Sequence, residues 1–228
     1  MKFNGNRLDI NLLEQKIQRR SILDWKKHMI VKTLFARINK TIKFSCLLLP
    51  AALLLIGAAD FPTERPSHWA QPMLNTTVGN LYKVSPNVFR SEQPEEKDIS
   101  DLAKMKIRTL LNLRGHHKDD ASFEKKGFNL LHHKMSAGSV SVNDLAAALK
   151  LLHKAEKPVL IHCWHGSDRT GFVMAGYRIV FENWTREAAI EELRLGGFGY
   201  HSRSYPNIVK TLEQMDVEAL RKSVLQSP

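Results

Sequence analysis

Cysteine is nearly absent. The chain of 228 residues has two thiols, Cys46 and Cys163. That is too few for the disulfide framework of a small secreted scaffold or for a four-cysteine zinc site. Long apolar runs are lacking as well. "FSCLLLPAALLLIGAA", Phe44 to Ala59, is sixteen residues without a charge, whereas a spanning helix wants about 20. Pro50 in its middle disfavours a long stable helix. There is no internal repeat and no low-complexity tract, which excludes solenoids and disordered arrays.

What is plentiful is positive charge, a formal net +11. Its location decides its meaning. Met1 to Lys43 holds eleven Lys/Arg against three Asp/Glu, while Asp60 to Pro228 holds 23 against 20. The globular part is nearly balanced, so the basic face that nucleic acid requires is not expected there. The basic segment instead precedes the apolar run. From Met29, a second candidate start, the chain reads as a basic region ("KTLFARINKTIK"), an apolar region and a small-residue end at Gly57-Ala58-Ala59. That is the layout of an export signal cleaved near Ala59. The alternative is an uncleaved anchor in the inner membrane, the only contact with a membrane that is expected. Both place the later residues outside the cytoplasm. Cys46 would leave with a cleaved leader, and Cys163 would remain as a lone thiol. The expected division is a basic extension over 1–43, the apolar segment over 44–59, a lead-in over 60–79 and one domain over 80–228.

Apolar residues are 43% of the chain, enough for a real core. From Asn80 onward short strands alternate with helices. "NLYKV" and "NVFRS" flank the turn Ser85-Pro86-Asn87. "EEKDISDLAKM" is helical, "IRTLLNL" a strand, Ser122 to Lys126 a short helix ended by Gly127, and "FNLLHHKM" a strand. Asn143 to Ala155 is a helix with Asn143 as N-cap, and "PVLIH" is a buried strand. Helices follow at Thr170 to Phe181, Thr185 to Leu195 and Ser204 to about Lys222. This pattern predicts an α/β domain with a central, mostly parallel sheet flanked by helices.

The stretch "HCWHGSDRTG", His162 to Gly171, sits where a strand meets a helix. A glycine-containing loop there leaves a row of backbone N–H groups free to hold a phosphate-sized anion. Cys163 opens the loop and Arg169 closes it. Loop amides, helix dipole and guanidinium all favour a thiolate, so Cys163 is a candidate nucleophile. Arg169 would grip two phosphoryl oxygens through its fork. Thr170 would stabilise the sulfur as it leaves. Gly166 would let the loop turn, and Gly171 would let the helix start close to the anion. The implied reaction is transfer of a phosphoryl group to sulfur and then to water, which needs no cofactor and no metal. Trp164, His165 and Ser167 complete the substrate-binding loop, and His162 would fix the cysteine by a hydrogen bond.

This signature resembles that of cysteine-based protein phosphatases. "NLYKVSPNVFRSEQP", "PVLIHCWHGSDRTG", "YRIVFENW" and "LRLGGFG" together resemble exported bacterial dual-specificity phosphatases, from about Trp69 to Arg221. The resemblance implies the dual-specificity fold, Cys163 as nucleophile, Arg169 as clamp and a periplasmic location. It also implies a phosphorylated protein as partner, bearing phosphotyrosine or phosphoserine/threonine, such as the exported part of a membrane signalling protein.

One part of the pattern is missing. Family members carry an aspartate before the helix that leads back to the signature strand, where it protonates the leaving oxygen. Here "KMSAGSVSVN", Lys134 to Asn143, has no acid. The preferred substitute is Asp168 inside the loop, as in myotubularin-type and Sac-type lipid phosphatases. Asp144, Asp119 and Asp120 are the other options. Asp-Arg in the loop keeps an inositol-phosphate or phosphoinositide phosphatase in view. The missing acid keeps a weakly catalytic phosphate-binding module in view. A metal held by Cys163 with His116, His117, His132, His133, His162 or His165 is disfavoured, because adjacent residues on a strand face opposite ways.

Overall fold

The computed structural model describes residues 65–226. The expectations for the basic extension, the apolar run, Met29 and Cys46 lie outside the described residues. Among the described residues no helix is long and apolar enough to cross a membrane.

Six strands form one sheet: β1 (Gln71–Pro72), β2 (Tyr82–Ser85), β3 (Val88–Ser91), β4 (Thr109–Asn112), β5 (Asn129–His132) and β6 (Val159–His162). Their order is β1-β2-β3-β6-β4-β5. The expected parallel centre is present, since β3, β6, β4 and β5 run the same way. β1, β2 and β3 pair antiparallel, so the sheet is mixed, with an antiparallel edge. Part of the expected lead-in thus contributes a strand, β1.

Seven helices cover the sheet: α1 (Ile99–Lys104), α2 (Ala121–Lys125), α3 (Val142–Lys154), α4 (Asp168–Phe181), α5 (Arg186–Leu195), α6 (Pro206–Gln214) and α7 (Val217–Leu225). Alternation along the strands divides the core in two. Leu111, Val159 and Ile161 join Leu149 of α3, Phe172 of α4, Leu193 of α5, Leu212 of α6 and Leu220 of α7 on one face. Leu110 and Leu160 join Leu102 of α1 and Phe123 of α2 on the other. β6 lies in the middle of the sheet and every one of its residues is buried, as its continuous apolar run requires.

Two local expectations change. The helix expected from Ser204 to about Lys222 is two helices, because Asp216 leaves the helical region and caps Ala219 N–H. The N-cap of α3 is Ser141 rather than Asn143. Its hydroxyl accepts from Asp144 N–H while the Asp144 carboxylate accepts from Ser141 N–H. That reciprocal box satisfies two otherwise free donors.

The parallel register lines up Ser91, His162, Asn112 and His132 across the carboxyl ends of β3, β6, β4 and β5. This polar row in an otherwise apolar sheet lies where open α/β sheets bind their ligands.

Candidate active site

Cys163 follows the last residue of β6 and is a free, buried thiol, 2% exposed. The loop after it turns at Gly166, which has φ +70. A Cβ there would lie 2.4 Å from the Ser91 carbonyl oxygen. Glycine is therefore required by conformation and by space. Arg90 Nη2 donates to the Gly166 carbonyl at 2.6 Å, which fixes that peptide's orientation. No acceptor among the described residues takes the N–H groups of Trp164 to Ser167.

The start of α4 is also left open. Ser167, its N-cap, makes no side-chain cap. Its hydroxyl donates to the Phe198 carbonyl at 2.7 Å instead. The first amides of α4 thus keep their partial positive charge for something outside the helix. Gly171 serves a different end from the expected one: a Cβ would meet Leu193 Cδ1 at 2.4 Å, so it allows α5 to pack closely on α4.

Arg169 spans the loop to the segment after β5, where Nη1 donates to the Met135 carbonyl at 3.4 Å. Its Nε and the Thr170 hydroxyl are buried with no hydrogen-bond partner. These two donors, in one turn beside the open amides, are available to a ligand. Thr170 Oγ1 makes no hydrogen bond to the Cys163 sulfur.

Two arginines that sequence reasoning missed converge on the same sulfur. Arg90 is fully buried beneath the loop, with its guanidinium carbon 3.7 Å from the centre of the Phe198 ring. Burial lowers its pKa to about 10, against the pull of Glu192 and Cys163, so it remains charged at neutral pH. Arg114, just past β4, lies 5.0 Å from the Trp164 ring centre and donates to Gln93 Oε1 at 3.3 Å. Burial and then the Arg169 charge push its pKa down, while Cys163 and Asp119 pull it up. Their signal in the sequence is positional only: Arg90 sits within a strand and Arg114 just past the end of one.

His162 is fully buried. Its Nε2 faces the Asp119 carboxylate at 3.2 and 3.3 Å, and its Nδ1 faces the Cys163 carbonyl at 3.4 Å. The expected hydrogen bond to the cysteine is thus made to its backbone. Asp119 also accepts from Gln93 Nε2 at 2.7 Å and Asn112 Nδ2 at 3.0 Å. Burial pushes its carboxyl up. The hydrogen bond and charge of His162, with Gln93 and His132, outweigh that and hold it below the usual range. The Asp119 carboxylate thus holds the His162 ring in place.

The other acidic options are placed as follows. Asp120 caps α2 through Ser122 N–H at 2.7 Å. Asp144 is held by the Ser141 N–H and hydroxyl at 3.0 and 2.6 Å. Asp168 opens α4, and its carboxylate accepts from His201 N–H at 2.9 Å and lies 3.0 Å from His201 Nδ1.

Trp164 is 59% exposed and stacks on His165, with ring centres 5.4 Å apart. Beside Arg169 opens a cleft of about 600 Å³, lined by His116, Lys134, Met135, Ser136 and Tyr205 among others. The named histidines disperse: His132 Nε2 meets the Arg114 carbonyl at 2.6 Å, His133 lies 3.7 Å from Asp144, and His116 lines the cleft. What converges is one thiol, three guanidinium groups and a row of amides without acceptors among the described residues, an arrangement able to cradle a tetrahedral dianion beside the sulfur.

The profile of the tyrosine phosphatase family matches residues 77–217, more than half of the chain. The chain belongs to that family. A relative among characterised proteins is the dual specificity protein phosphatase TpbA of Pseudomonas aeruginosa, 36% identical over 148 residues. That match covers 63% of this chain and 66% of TpbA, so the chain spans just under two thirds of the relative's length. The crystal structure of P. aeruginosa TpbA in complex with pTyr superposes with a TM-score of 0.65 at 30% identity, covering 72% of this chain and all of that one. The catalytic core of the PP-IP phosphatase SIW14 from S. cerevisiae, at 24% identity and TM-score 0.55, shares the fold; the match covers 68% of this chain and 92% of that core. The cysteine-phosphatase fold expected from the sequence is therefore the fold of this family member, and its relatives by sequence are dual-specificity phosphatases.

Proposed function

We propose that this member of the tyrosine phosphatase family is an exported phosphomonoester hydrolase acting on phosphotyrosine, and on phosphoserine or phosphothreonine, through a phosphocysteine intermediate. The observation that carries this reading is the pairing of buried Cys163 with the unpaired donors Arg169 Nε and Thr170 Oγ1. In the first step Cys163 sulfur attacks phosphorus, an S–P bond forms, the P–O ester bond breaks and the leaving oxygen takes a proton from Asp168. In the second step water attacks phosphorus, Asp168 takes back a proton, and the thiolate leaves with the Thr170 hydroxyl turned toward it. Arg169 and the loop amides hold the equatorial oxygens throughout, where charge builds up.

Export is supported by the order of basic, apolar and small residues between Met29 and Ala59. The substrate would then be a phosphorylated protein on the outer side of the inner membrane, such as part of a signalling protein. A second reading, an inositol-phosphate or phosphoinositide phosphatase, draws on the cleft beside Arg169, to which His116 and Lys134 also contribute.

The deciding experiment offers the purified protein an aryl phosphate, with and without Cys163→Ser. Turnover that vanishes in the variant and is indifferent to a chelator supports the proposal. Phosphate binding without turnover would reduce the protein to a binding module. Phosphotyrosine peptides compared with inositol phosphates then separate the two substrate classes.

A further inference from the structure

Asp168 is the first residue of α4, yet its carboxylate does not cap that helix. It turns to the segment between α5 and α6, where His201 offers both its backbone N–H, at 2.9 Å, and its ring Nδ1, at 3.0 and 3.3 Å from the two carboxylate oxygens. That segment is fixed from below. Phe198 is buried, and its carbonyl accepts from Ser167 Oγ and from Asn80 Nδ2, so the rim carrying His201 is tied to the loop itself. The carboxylate is 9% exposed and the imidazole 48% exposed. One partner is inside the cradle wall and the other is open to solvent.

The other three candidate carboxylates are committed elsewhere: Asp119 to His162, Asp120 to α2 and Asp144 to α3. Asp168 alone lies in the loop and has an exchangeable proton source against it. The charged and titratable groups around His201 are few. Asp168 faces it from α4, and the His165 ring lies 5.8 Å away in the loop. Tyr200 and Arg203 are neighbours on its own segment, with Tyr200 donating its hydroxyl proton to the Tyr205 carbonyl at 2.7 Å. Arg194 of α5 lies within electrostatic reach of Tyr200.

We infer that His201 is a positioning residue that stores the catalytic proton for Asp168, in place of the aspartate missing from Lys134 to Asn143. The inference rests on the phosphatase reading above and deepens it. The 3.0 Å contact between Nδ1 and Oδ2 gives the pair one transferable proton to share. A bound phosphoryl dianion raises the proton affinity of the nearby carboxylate, and the proton passes from Nδ1 to Asp168. As the P–O bond breaks, Asp168 delivers it to the leaving oxygen, leaving neutral imidazole and carboxylate. When water attacks the phosphocysteine, the carboxylate takes one proton from that water and the pair is restored.

His201→Ala tests this, because it removes the ring and keeps the backbone N–H that Asp168 accepts. Two esters are compared across pH in the whole protein: phenyl phosphate, whose leaving oxygen needs a proton, and 2,4-dinitrophenyl phosphate, whose leaving oxygen does not. The expected loss on phenyl phosphate is about tenfold or more, with the alkaline limb of the pH profile moved to lower pH. The dinitrophenyl ester should stay within about twofold, and added imidazole should restore part of the lost rate. Asp168→Asn should give the same split between esters, and it carries the test if His201→Ala melts early. Equal losses on both esters, or no loss on phenyl phosphate, overturn the role of His201. Failure of the phosphatase reading looks different: the unaltered protein would then hydrolyse neither ester, or would do so regardless of Cys163→Ser.

Discussion

Asp119 shows how much one buried carboxylate can hold. It takes hydrogen bonds from Gln93, Asn112 and His162, and so connects the loop after β3, the end of β4 and the residue before Cys163. Its carboxyl is held below the ordinary 3.8 by His162 and Gln93 against burial. A carboxyl with a lowered pKa in the folded state stabilises the fold fully above its unfolded pKa. That contribution is lost as pH falls through the folded value. Asp119→Asn should therefore cost about 1.5–3 kcal/mol at neutral pH, the worth of hydrogen bonds to a charged group. The gap between variant and parent should narrow below about pH 4. Urea midpoints at neutral and acid pH measure it, and a constant gap would show that the charge of Asp119 is not what stabilises.

At the scale of elements, α4 is buried almost all round, and the cation in its last turn, Arg178, is matched inside the protein. Arg178 meets Glu192 of α5 at 2.8 and 2.7 Å, Glu182 at 2.5 Å and the Val84 carbonyl at 3.1 Å. Glu192 also accepts from Ala70 N–H at 2.6 Å, next to β1. This knot joins α4, α5 and the antiparallel edge. Glu192→Ala leaves a buried guanidinium half-paired and should cost about 3–5 kcal/mol. The prediction is a lower urea midpoint than that of the unaltered protein. The elements themselves were legible in the sequence where a period or a glycine marked them: β6 from its apolar run, α2 from Gly127. Where one side chain decides a boundary they were not. Asp216 divides α6 from α7, and Ser141 rather than Asn143 starts α3. Both are capping choices, in which several polar residues compete within a few positions and only backbone geometry selects one.

The site divides the same way at the scale of the whole molecule. Cys163, Gly166, Arg169 and Thr170 were legible because they are contiguous and their spacing has a chemical meaning. Arg90, Arg114 and His201 were not, because strand order brings the first two to Cys163 from 73 and 49 residues away, and the fold of the 196–205 segment brings His201 to Asp168 from 33 residues away. The consequence is a folded state that gathers three guanidinium groups, of Arg90, Arg114 and Arg169, around one thiol before any anion arrives. Burial and the Arg169 charge disfavour the Arg114 cation while Cys163 and Asp119 favour it, and an oxyanion bound among these guanidinium groups adds to the favourable side. Tungstate, a tetrahedral dianion, should therefore stabilise the whole protein. At about 100 times its dissociation constant the gain is about 2.7 kcal/mol. For a domain of this size that corresponds to a rise in Tm of about 5–10 °C. Sodium chloride at equal ionic strength should not reproduce it, since screening alone supplies no ligand for the amides and Arg169 Nε. Arg169→Ala should abolish most of the rise while leaving the melting cooperative. A Tm that tungstate leaves unchanged, or raises equally in the variant, would mean that the donors around Cys163 do not form an anion site.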